Sequence, residues 1–471
     1  MLALLLAVVA LVPASPVSAK SRRPGVVWDD DVEPVASDVA AIYGRAFRHP
    51  VRTSLLDPAA FAAASDAGIG AGSSSPFREV ALGLARPNTD TGNGMPRARK
   101  PRASTQPAGF FEPFTDHLYV NGDTVEGAVE VVLAHELTHA LQWQTYRPRF
   151  DTGPLDDVAN EVGRAVIEGD ASRVHERYLE SHDEIDIPES VATPLRHAWD
   201  VPTSPGALSD TTAFLYAEEW SAYTLGRSLT EAIVAHGGTG SLRGWFVDTP
   251  VDDLPLLDPL QVALITPDET PSPAPKVQAP AVTRPERKRG PTTRLGAVLL
   301  YYLLASRIDP VDALHAARLW NGDRMVVVTN SSGICARVRI RTEAGAESLT
   351  TALDAWAAAV GPAASMVEEP TARVVTMCGT HAPRADGSAI AVAAFTAQLS
   401  GSVAADEVQR DVPVGTARCV VDTFDVDPRI RALVDELRDP DYDATRVRRS
   451  LEAEIPTARA RARAACATSD S

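Results

Sequence analysis

The chain is poor in positive charge and in cysteine. Its 471 residues carry 45 Lys and Arg against 62 Asp and Glu, a formal net charge of -17 at pH 7. Because phosphate backbones are bound by clustered Lys and Arg, this balance excludes a broad affinity for nucleic acid. The 4 cysteines all lie in the last third of the chain, and none belongs to a C-x-x-C pair. We therefore expect no cysteine-type zinc site.

Long apolar runs are also missing. Residues 1–19 hold about a dozen apolar residues, then Pro13, Pro16 and a small-residue ending, which is shorter than the ~20 residues of a membrane span. This pattern predicts a signal peptide cleaved before Lys20, and hence a secreted or extracytoplasmic protein. No later stretch reads as a membrane span, so we expect no stable membrane anchor.

An even number of cysteines in an exported protein predicts disulfides. Three pairings of four cysteines are possible on paper. We expect Cys335 to bond Cys378 and Cys419 to bond Cys466, because each bond would join neighbouring segments. Free buried thiols are the alternative.

Local patterns divide the chain into elements. Apolar periodicity predicts helices at 33–46, 126–144, 156–181, 213–235, 295–305 and 347–360, and a helical tail at 416–466. Runs rich in aromatic and β-branched residues predict strands at 77–84, 109–120, 324–329, 335–341 and 372–378. Turn residues predict a Gly/Ser loop at 68–76 and a solvated basic loop at 87–107.

Residues 266–294 contain seven prolines and the basic run 287–289. This composition predicts a linker or surface insertion without a core of its own.

The strongest helical pattern contains the motif H-E-x-x-H. His135 and His139 are four residues apart, so on a helix they project from one face and can reach one ion. The apolar residues follow another side, which predicts a helix packed on the core with both imidazoles facing a cleft. Glu136 follows the first His, where a metal-bound water needs its base. A chance match with two surface His is the alternative.

The next predicted helix offers the third ligand that catalytic zinc usually takes. Glu161 and Glu168 are seven residues apart and share one helical face. Gly169 would let the helix approach the metal closely beside Glu168. Glu161 follows Asn160 as in the thermolysin arrangement, but Ala165 stands where that arrangement has Asp. From the residues alone, both Glu161 and Glu168 remain candidates for the third ligand.

The motifs H-E-L-T-H-A-L-Q and E-G-D-A together resemble the gluzincin metallopeptidases, whose third ligand commonly lies in an E-G-x-A helix. The chain is most similar to secreted bacterial proteins with an A-H-E-L-x-H-A-L-Q helix. Weaker likeness, within roughly residues 30 to 380, continues through Gly109–Val120, Tyr223, Gly226 and Trp320–Arg324. The chain departs from the pattern at Trp143, where an acidic residue is expected, and in the insertion after residue 265.

This resemblance implies that Glu168 joins His135 and His139 in holding zinc. Zinc would polarise the scissile carbonyl and lower the pKa of its bound water to about 7. Glu136 would then pass the proton of the water to the leaving amine.

A second donor to the developing oxyanion is also needed. Tyr223 is the candidate, because it matches the aromatic-then-Gly pattern of the family; Tyr216 and His236 are rivals. The strand at 109–120 offers an edge on which an extended peptide can lie.

The expected fold is α+β and zincin-like, with a small mixed sheet over the active-site helix and a mainly helical second half. We expect five segments: a signal peptide at 1–19, a zincin-like catalytic region at 20–265, a Pro-rich linker or insertion at 266–294, a continuation of the catalytic region at 295–400, and a helical disulfide-closed module at 401–471.

The sequence thus predicts a secreted zinc metallopeptidase with a peptide or protein substrate. A catalytically silent zinc-binding scaffold that binds a partner is the alternative, and the intact Glu136 favours the enzyme. A zinc hydrolase acting on another bond has the same sequence features.

Overall fold

The structure is a computed structural model, and it describes residues 27–68, 76–84, 108–148, 157–187, 210–250, 252–267, 269–343, 345–379, 387–439 and 441–467. The predicted signal peptide and the predicted basic loop lie outside these residues. Within them the chain is a mixed α/β protein with small sheets and many helices.

The first half is mainly helical. Its helices are α1 (Glu33–Tyr43), α2 (Pro58–Gly68), α3 (Pro76–Ala81), α4 (Ala128–Tyr146), α5 (Asp157–Ser181), α6 (Asp210–Gly237), α7 (Leu242–Val247) and α8 (Leu254–Leu257). Short 3₁₀ turns follow at Thr239–Ser241 and Pro259–Leu264. The motif helix predicted at 126–144 is α4, and the one predicted at 156–181 is α5.

A three-stranded sheet lies against α4. Its strands are β1 (Arg52–Leu56), β2 (Gly109–Glu112) and β3 (His117–Asn121), in the order β1-β3-β2. β1 runs parallel to β3, and β2 runs antiparallel to it. The single strand predicted at 109–120 is therefore wrong: Pro113 removes a strand donor and Asp116 takes a positive φ of 56°, so the chain turns back into a hairpin.

The strand predicted at 77–84 is also wrong, because this segment begins with helix α3. Pro76 is the first residue of the helix, where its missing N–H costs nothing. A short apolar run does not by itself distinguish a strand from a buried helical turn.

The second sheet has five antiparallel strands in the order β4-β5-β6-β8-β7. They are β4 (Arg287–Thr293), β5 (Asp323–Asn330), β6 (Gly333–Arg341), β7 (Ala364–Glu369) and β8 (Ala372–Met377). Helices α9 (Ala297–Ala305), α10 (Pro310–Ala317) and α11 (Glu347–Val360) lie between these strands in the chain, and α11 packs against β7. Val338 and Ile340 of β6 face the core.

The Pro-rich segment, predicted to be a linker or a surface insertion, packs on the outer face of this sheet. The backbone oxygen of Gln278 accepts a 3.0 Å bond from Arg339 Nη1, and Ala279 packs against Val326 and Cys335. The basic run at 287–289 forms edge strand β4. Its side chains are exposed, so no apolar alternation marks it as a strand.

The last helices are α12 (Gly387–Gln409), α13 (Val414–Asp425), α14 (Pro428–Asp435) and α15 (Ala444–Cys466). The predicted boundary at 400/401 falls inside α12, and the separateness of 401–471 stays a prediction. Among the described helices, Ser388–Gln409 alone is long and apolar enough to cross a membrane. The sequence analysis did not identify it as a candidate span. In the fold, 94% of its most apolar window is buried.

Both predicted disulfides are present. Cys335 bonds Cys378 and ties β6 to the residue after β8. Cys419 bonds Cys466 and ties α13 to the end of α15. Two disulfides are compatible with an extracellular protein.

Candidate metal centre

Helix α4 carries the motif and is buried on every side. Each residue from Val131 to Gln142 is buried, whereas the sequence predicted one buried side and an open cleft. β2 lies very close to it: a Cβ added at Gly109 would stand 2.8 Å from Glu136 Cγ and 2.9 Å from Val132 Cγ1. Glycine at 109 thus lets the sheet approach the side chain of Glu136.

Two glycines bring α5 against α6. A Cβ at Gly169 would lie 2.1 Å from the carbonyl carbon of Gly226, and one at Gly226 would lie 2.1 Å from the oxygen of Ala165. Neither position has room for a side chain. Gly169 follows Glu168 directly, so this close backbone packing fixes the position of Glu168 relative to α6.

Three predicted ligand atoms converge between α4 and α5. The Nε2 atoms of His135 and His139 are 3.1 Å apart, and each is 3.3 Å from Oε2 of Glu168. His135 and Glu168 are fully buried, and His139 is 4% exposed. Glu136 also offers a carboxylate oxygen within 4.8 Å of both imidazoles.

The charges of the three groups are coupled. Burial lowers the pKa of His135 to about 4. Burial would also lower the pKa of His139, but the Glu168 carboxylate outweighs it and raises that pKa to about 9. Burial would raise the pKa of Glu168, but the charge of His139 and the bonds from both imidazoles lower it to about 2. The site therefore holds an ionised carboxylate beside two imidazole nitrogens.

Glu136 is in a different environment. Burial raises its pKa to about 8, with the charge of His139 and the backbone of Phe111 opposing the shift. The Phe111 backbone N–H is close enough to favour the ionised form, yet neither carboxylate oxygen makes a hydrogen bond of good geometry to a described residue. Buried polar atoms are normally satisfied, so these two oxygens point to a bound group.

The donor set fits a divalent transition metal. Two imidazole nitrogens and one carboxylate oxygen are the ligands that zinc takes in catalytic sites. The buried group of His135, Glu136 and His139 can hold a metal ion, and Glu168 Oε2 lies 3.3 Å from Nε2 of each imidazole.

A hydrogen-bonded chain lies behind His139. His139 Nδ1 is 3.0 Å from Gln142 Oε1, and Gln142 Nε2 donates to Asp170 Oδ2 at 2.9 Å and to the backbone oxygen of Ile167 at 3.1 Å. Asp170 Oδ2 also accepts from Tyr43 Oη at 2.9 Å. On the other ligand, His135 Nδ1 lies 2.9 Å from His175 Nδ1.

The sequence analysis did not predict Gln142, Asp170 and His175 as residues of the site. Spacing gave a signal for two of them. Gln142 is three residues after His139, and His175 is seven after Glu168, so each shares a helical face with a proposed ligand.

The rival third ligand, Glu161, is engaged elsewhere. It lies seven residues before Glu168 in α5, about 10 Å along the helix axis. Its Oε1 is 3.9 Å from Arg78 Nη1, and Arg78 Nη2 pairs with Glu218 at 2.6 Å.

Tyr223 lies beside the centre. Its ring centroid is 6.3 Å from that of His135, and the side chain is 4% exposed. His236 lies thirteen residues further along α6, about 20 Å away along the axis, and its Nε2 is 2.9 Å from the Ile265 oxygen. The side chain of Tyr216 lies outside the described residues.

No protein-family model, curated protein or solved structure matches the chain. The gluzincin resemblance therefore rests on the His-Glu-x-x-His group alone. No structural neighbour supports the zincin-like fold.

Proposed function

We propose that this protein is an exported zinc metallopeptidase. One observation supports this most strongly: His135 Nε2, His139 Nε2 and Glu168 Oε2 lie within 3.3 Å of one another, and the second buried carboxylate beside them, Glu136, makes no hydrogen bond of good geometry to a described residue. Glu168, which contacts both imidazoles, can serve as a metal ligand, and Glu136, which is the second carboxylate, can serve as the base of a hydrolase.

The proposed roles follow from this environment. When bound, zinc supplies Lewis-acid activation of a water and of the scissile carbonyl. Glu136 takes the proton of the attacking water and delivers it to the leaving amine. Its high pKa without metal would fall beside a dication, because a positive charge favours the ionised carboxylate. Tyr223 donates a hydrogen bond from its hydroxyl group to the developing oxyanion and keeps its proton.

The edge of β2 that pairs with no described strand is the proposed substrate platform. Gly109, Phe110 and Phe111 are buried, so a peptide must displace the groups that cover them. Asn121 N donates to the Ala108 oxygen at 2.8 Å, which makes 108 and 121 a hydrogen-bonded pair. In an antiparallel ladder such pairs alternate, so Gly109 and Phe111 turn their N–H and C=O groups away from β3. No strand among the described residues pairs with this edge. An extended peptide can add there as a further strand, next to Glu136.

Metal analysis combined with a cleavage assay tests the proposal. Protein purified without chelators should contain about one zinc per chain and should cleave members of a broad peptide library. A chelator should abolish cleavage, and added zinc should restore it. Metal-free native protein that gains no activity with zinc would contradict the proposal.

The silent scaffold has one observation in its favour. His135, Glu136 and Glu168 are fully buried, so a substrate must displace the groups that cover them. Stoichiometric zinc without cleavage of any library peptide would favour this function. Export is tested by finding the protein outside the cytoplasm with residues 1–19 removed.

A further inference from the structure

The amide of Gln142 has only one possible orientation. Its two nearest partners on one side, the Ile167 oxygen and the Asp170 carboxylate, are acceptors, so the NH₂ group must face them. Asp170 is itself fixed, because Tyr43 donates to Oδ2 while Arg173 donates to Oδ1 from Nε at 3.1 Å and Nη2 at 2.7 Å. The oxygen of the Gln142 amide is therefore turned toward His139.

This orientation determines the tautomer of His139. An amide oxygen only accepts, so Nδ1 of His139 must carry a proton. In the neutral ring the lone pair is then on Nε2, which is the atom that faces His135 and Glu168. The chain from Asp170 to His139 thus selects the tautomer that can bind a metal through Nε2.

His175 does the same for His135. Two Nδ1 atoms 2.9 Å apart form a hydrogen bond only when one donates and the other accepts. If His135 presents its Nε2 lone pair to a metal, its Nδ1 is the donor, and His175 Nδ1 is the acceptor. His175 is 1% exposed and lies one turn beyond Asp170 and Arg173 in α5, so its ring is held inside the fold.

We propose that Gln142, held by Asp170, and His175 are positioning residues that fix the tautomers and ring orientations of the two imidazole ligands. The inference rests on the metal centre of the proposed function and names the residues behind it. Removing such an outer partner typically weakens metal binding about 10- to 100-fold.

Zinc affinity is the direct test. The zinc dissociation constants of the wild type, Gln142→Leu and His175→Phe would be measured on the full chain by competition with a chromophoric chelator. Gln144→Leu is the matched control: Gln144 is also buried in α4, but its side chain binds Arg48 and His49 instead. Thermal unfolding of each metal-free protein would show the cost to folding, and the visible spectrum of bound Co²⁺ would report the ligand geometry.

We expect Gln142→Leu and His175→Phe to raise the dissociation constant about 10- to 100-fold and to change the Co²⁺ bands. Gln144→Leu should stay within about two-fold of the wild type at a similar loss of thermal stability. Gln142→Met, which keeps the length of the side chain without its oxygen, replaces Gln142→Leu if that variant does not fold. Equal affinities for the 142 and 144 variants would overturn the assignment.

The same measurements separate this inference from the peptidase proposal. A wild type that binds zinc and loses affinity as described, but cleaves no peptide, supports the positioning role and overturns the peptidase. A wild type without measurable zinc affinity overturns both.

Discussion

Glu168 is the carboxylate whose ionised form the protein stabilises most clearly. Although burial opposes ionisation, the two imidazoles lower its pKa to about 2. We predict that Glu168→Gln loses zinc binding, because a neutral amide is a poor ligand and leaves only two imidazoles. Metal content by atomic spectroscopy, at matched protein concentration, measures the loss.

Glu161→Gln in the same helix is the control for Glu168→Gln. Its carboxylate pairs with Arg78 and not with an imidazole, so zinc content should equal that of the wild type. Loss of zinc from the 161 variant with retention in the 168 variant would make Glu161 the ligand.

Tyr223 is the proposed donor to the oxyanion, and its ring lies 6.3 Å from that of His135. We predict that Tyr223→Phe keeps zinc and lowers kcat about 10²- to 10³-fold with little change in KM, since the bond forms only in the transition state. Steady-state kinetics on one cleaved peptide measures the split. An unchanged kcat would leave Tyr223 as a packing residue.

The contact between α5 and α6 sets the position of the third ligand. A Cβ at Gly169 would be 2.1 Å from the backbone of Gly226. We therefore predict that Gly169→Ala forces the helices apart, destabilises the fold by on the order of 3 kcal/mol and weakens zinc binding. Urea unfolding and zinc competition measure both effects.

Gly163→Ala, six residues earlier in α5, is the control for Gly169→Ala. A Cβ there would meet Thr249 Cγ2 at 3.4 Å, which is an ordinary contact. Because Ala favours a helix over Gly by about 1 kcal/mol, this variant should be as stable as the wild type or more so. A Gly169→Ala protein as stable as the Gly163→Ala protein would refute the close-contact argument.

Helices that carry a periodic apolar pattern were predicted well from the sequence. The pattern around His135 gave α4 within two residues, because propensity and burial agree there. The strand at 287–289 was not predicted from the sequence. Its backbone pairs as an edge strand, but its side chains are exposed and polar, as in a loop. Phe77–Leu84 failed because its short apolar run fits a strand and a helical turn equally.

The candidate site was predictable only in part for a similar reason. His135 and His139 are brought together by one helix, so their spacing alone predicts the pair. Glu168 lies on another helix, 33 residues from His135 in the sequence. The residues alone did not distinguish it from Glu161 as the third ligand. Gln142 and His175 act through tertiary contacts that appear only once α4 and α5 are packed.

The C-terminal helices are joined to the rest of the fold. One hydrophobic core extends from Val32 near the start of the described chain to Cys466 near its end. Arg318 Nη1, directly after α10, donates to Asp425 Oδ2 of α13 at 3.0 Å, so a buried charged pair also ties these helices to the preceding part of the chain.

We predict that replacing Cys419 and Cys466 by Ser lowers the free energy of unfolding by about 4 kcal/mol, because the bond closes a loop with a sequence separation of 47. Zinc binding should persist, since the bond joins α13 to α15 whereas the proposed ligands lie on α4 and α5. Chemical unfolding with and without reductant measures the change. A variant as stable as the wild type would contradict the prediction.

We propose that Glu136 performs the chemistry, whereas His135, His139 and Glu168 hold the metal. Glu136→Gln is nearly isosteric, so His135, His139 and Glu168 should keep zinc. The amide cannot accept the proton, and a positioned base contributes about 10²- to 10⁴-fold in rate.

The decisive measurement compares cleavage of one peptide by the wild type and by Glu136→Gln at equal zinc occupancy. We predict that Glu136→Gln loses at least about a hundred-fold in kcat with unchanged metal content. Equal cleavage by the two proteins would contradict it.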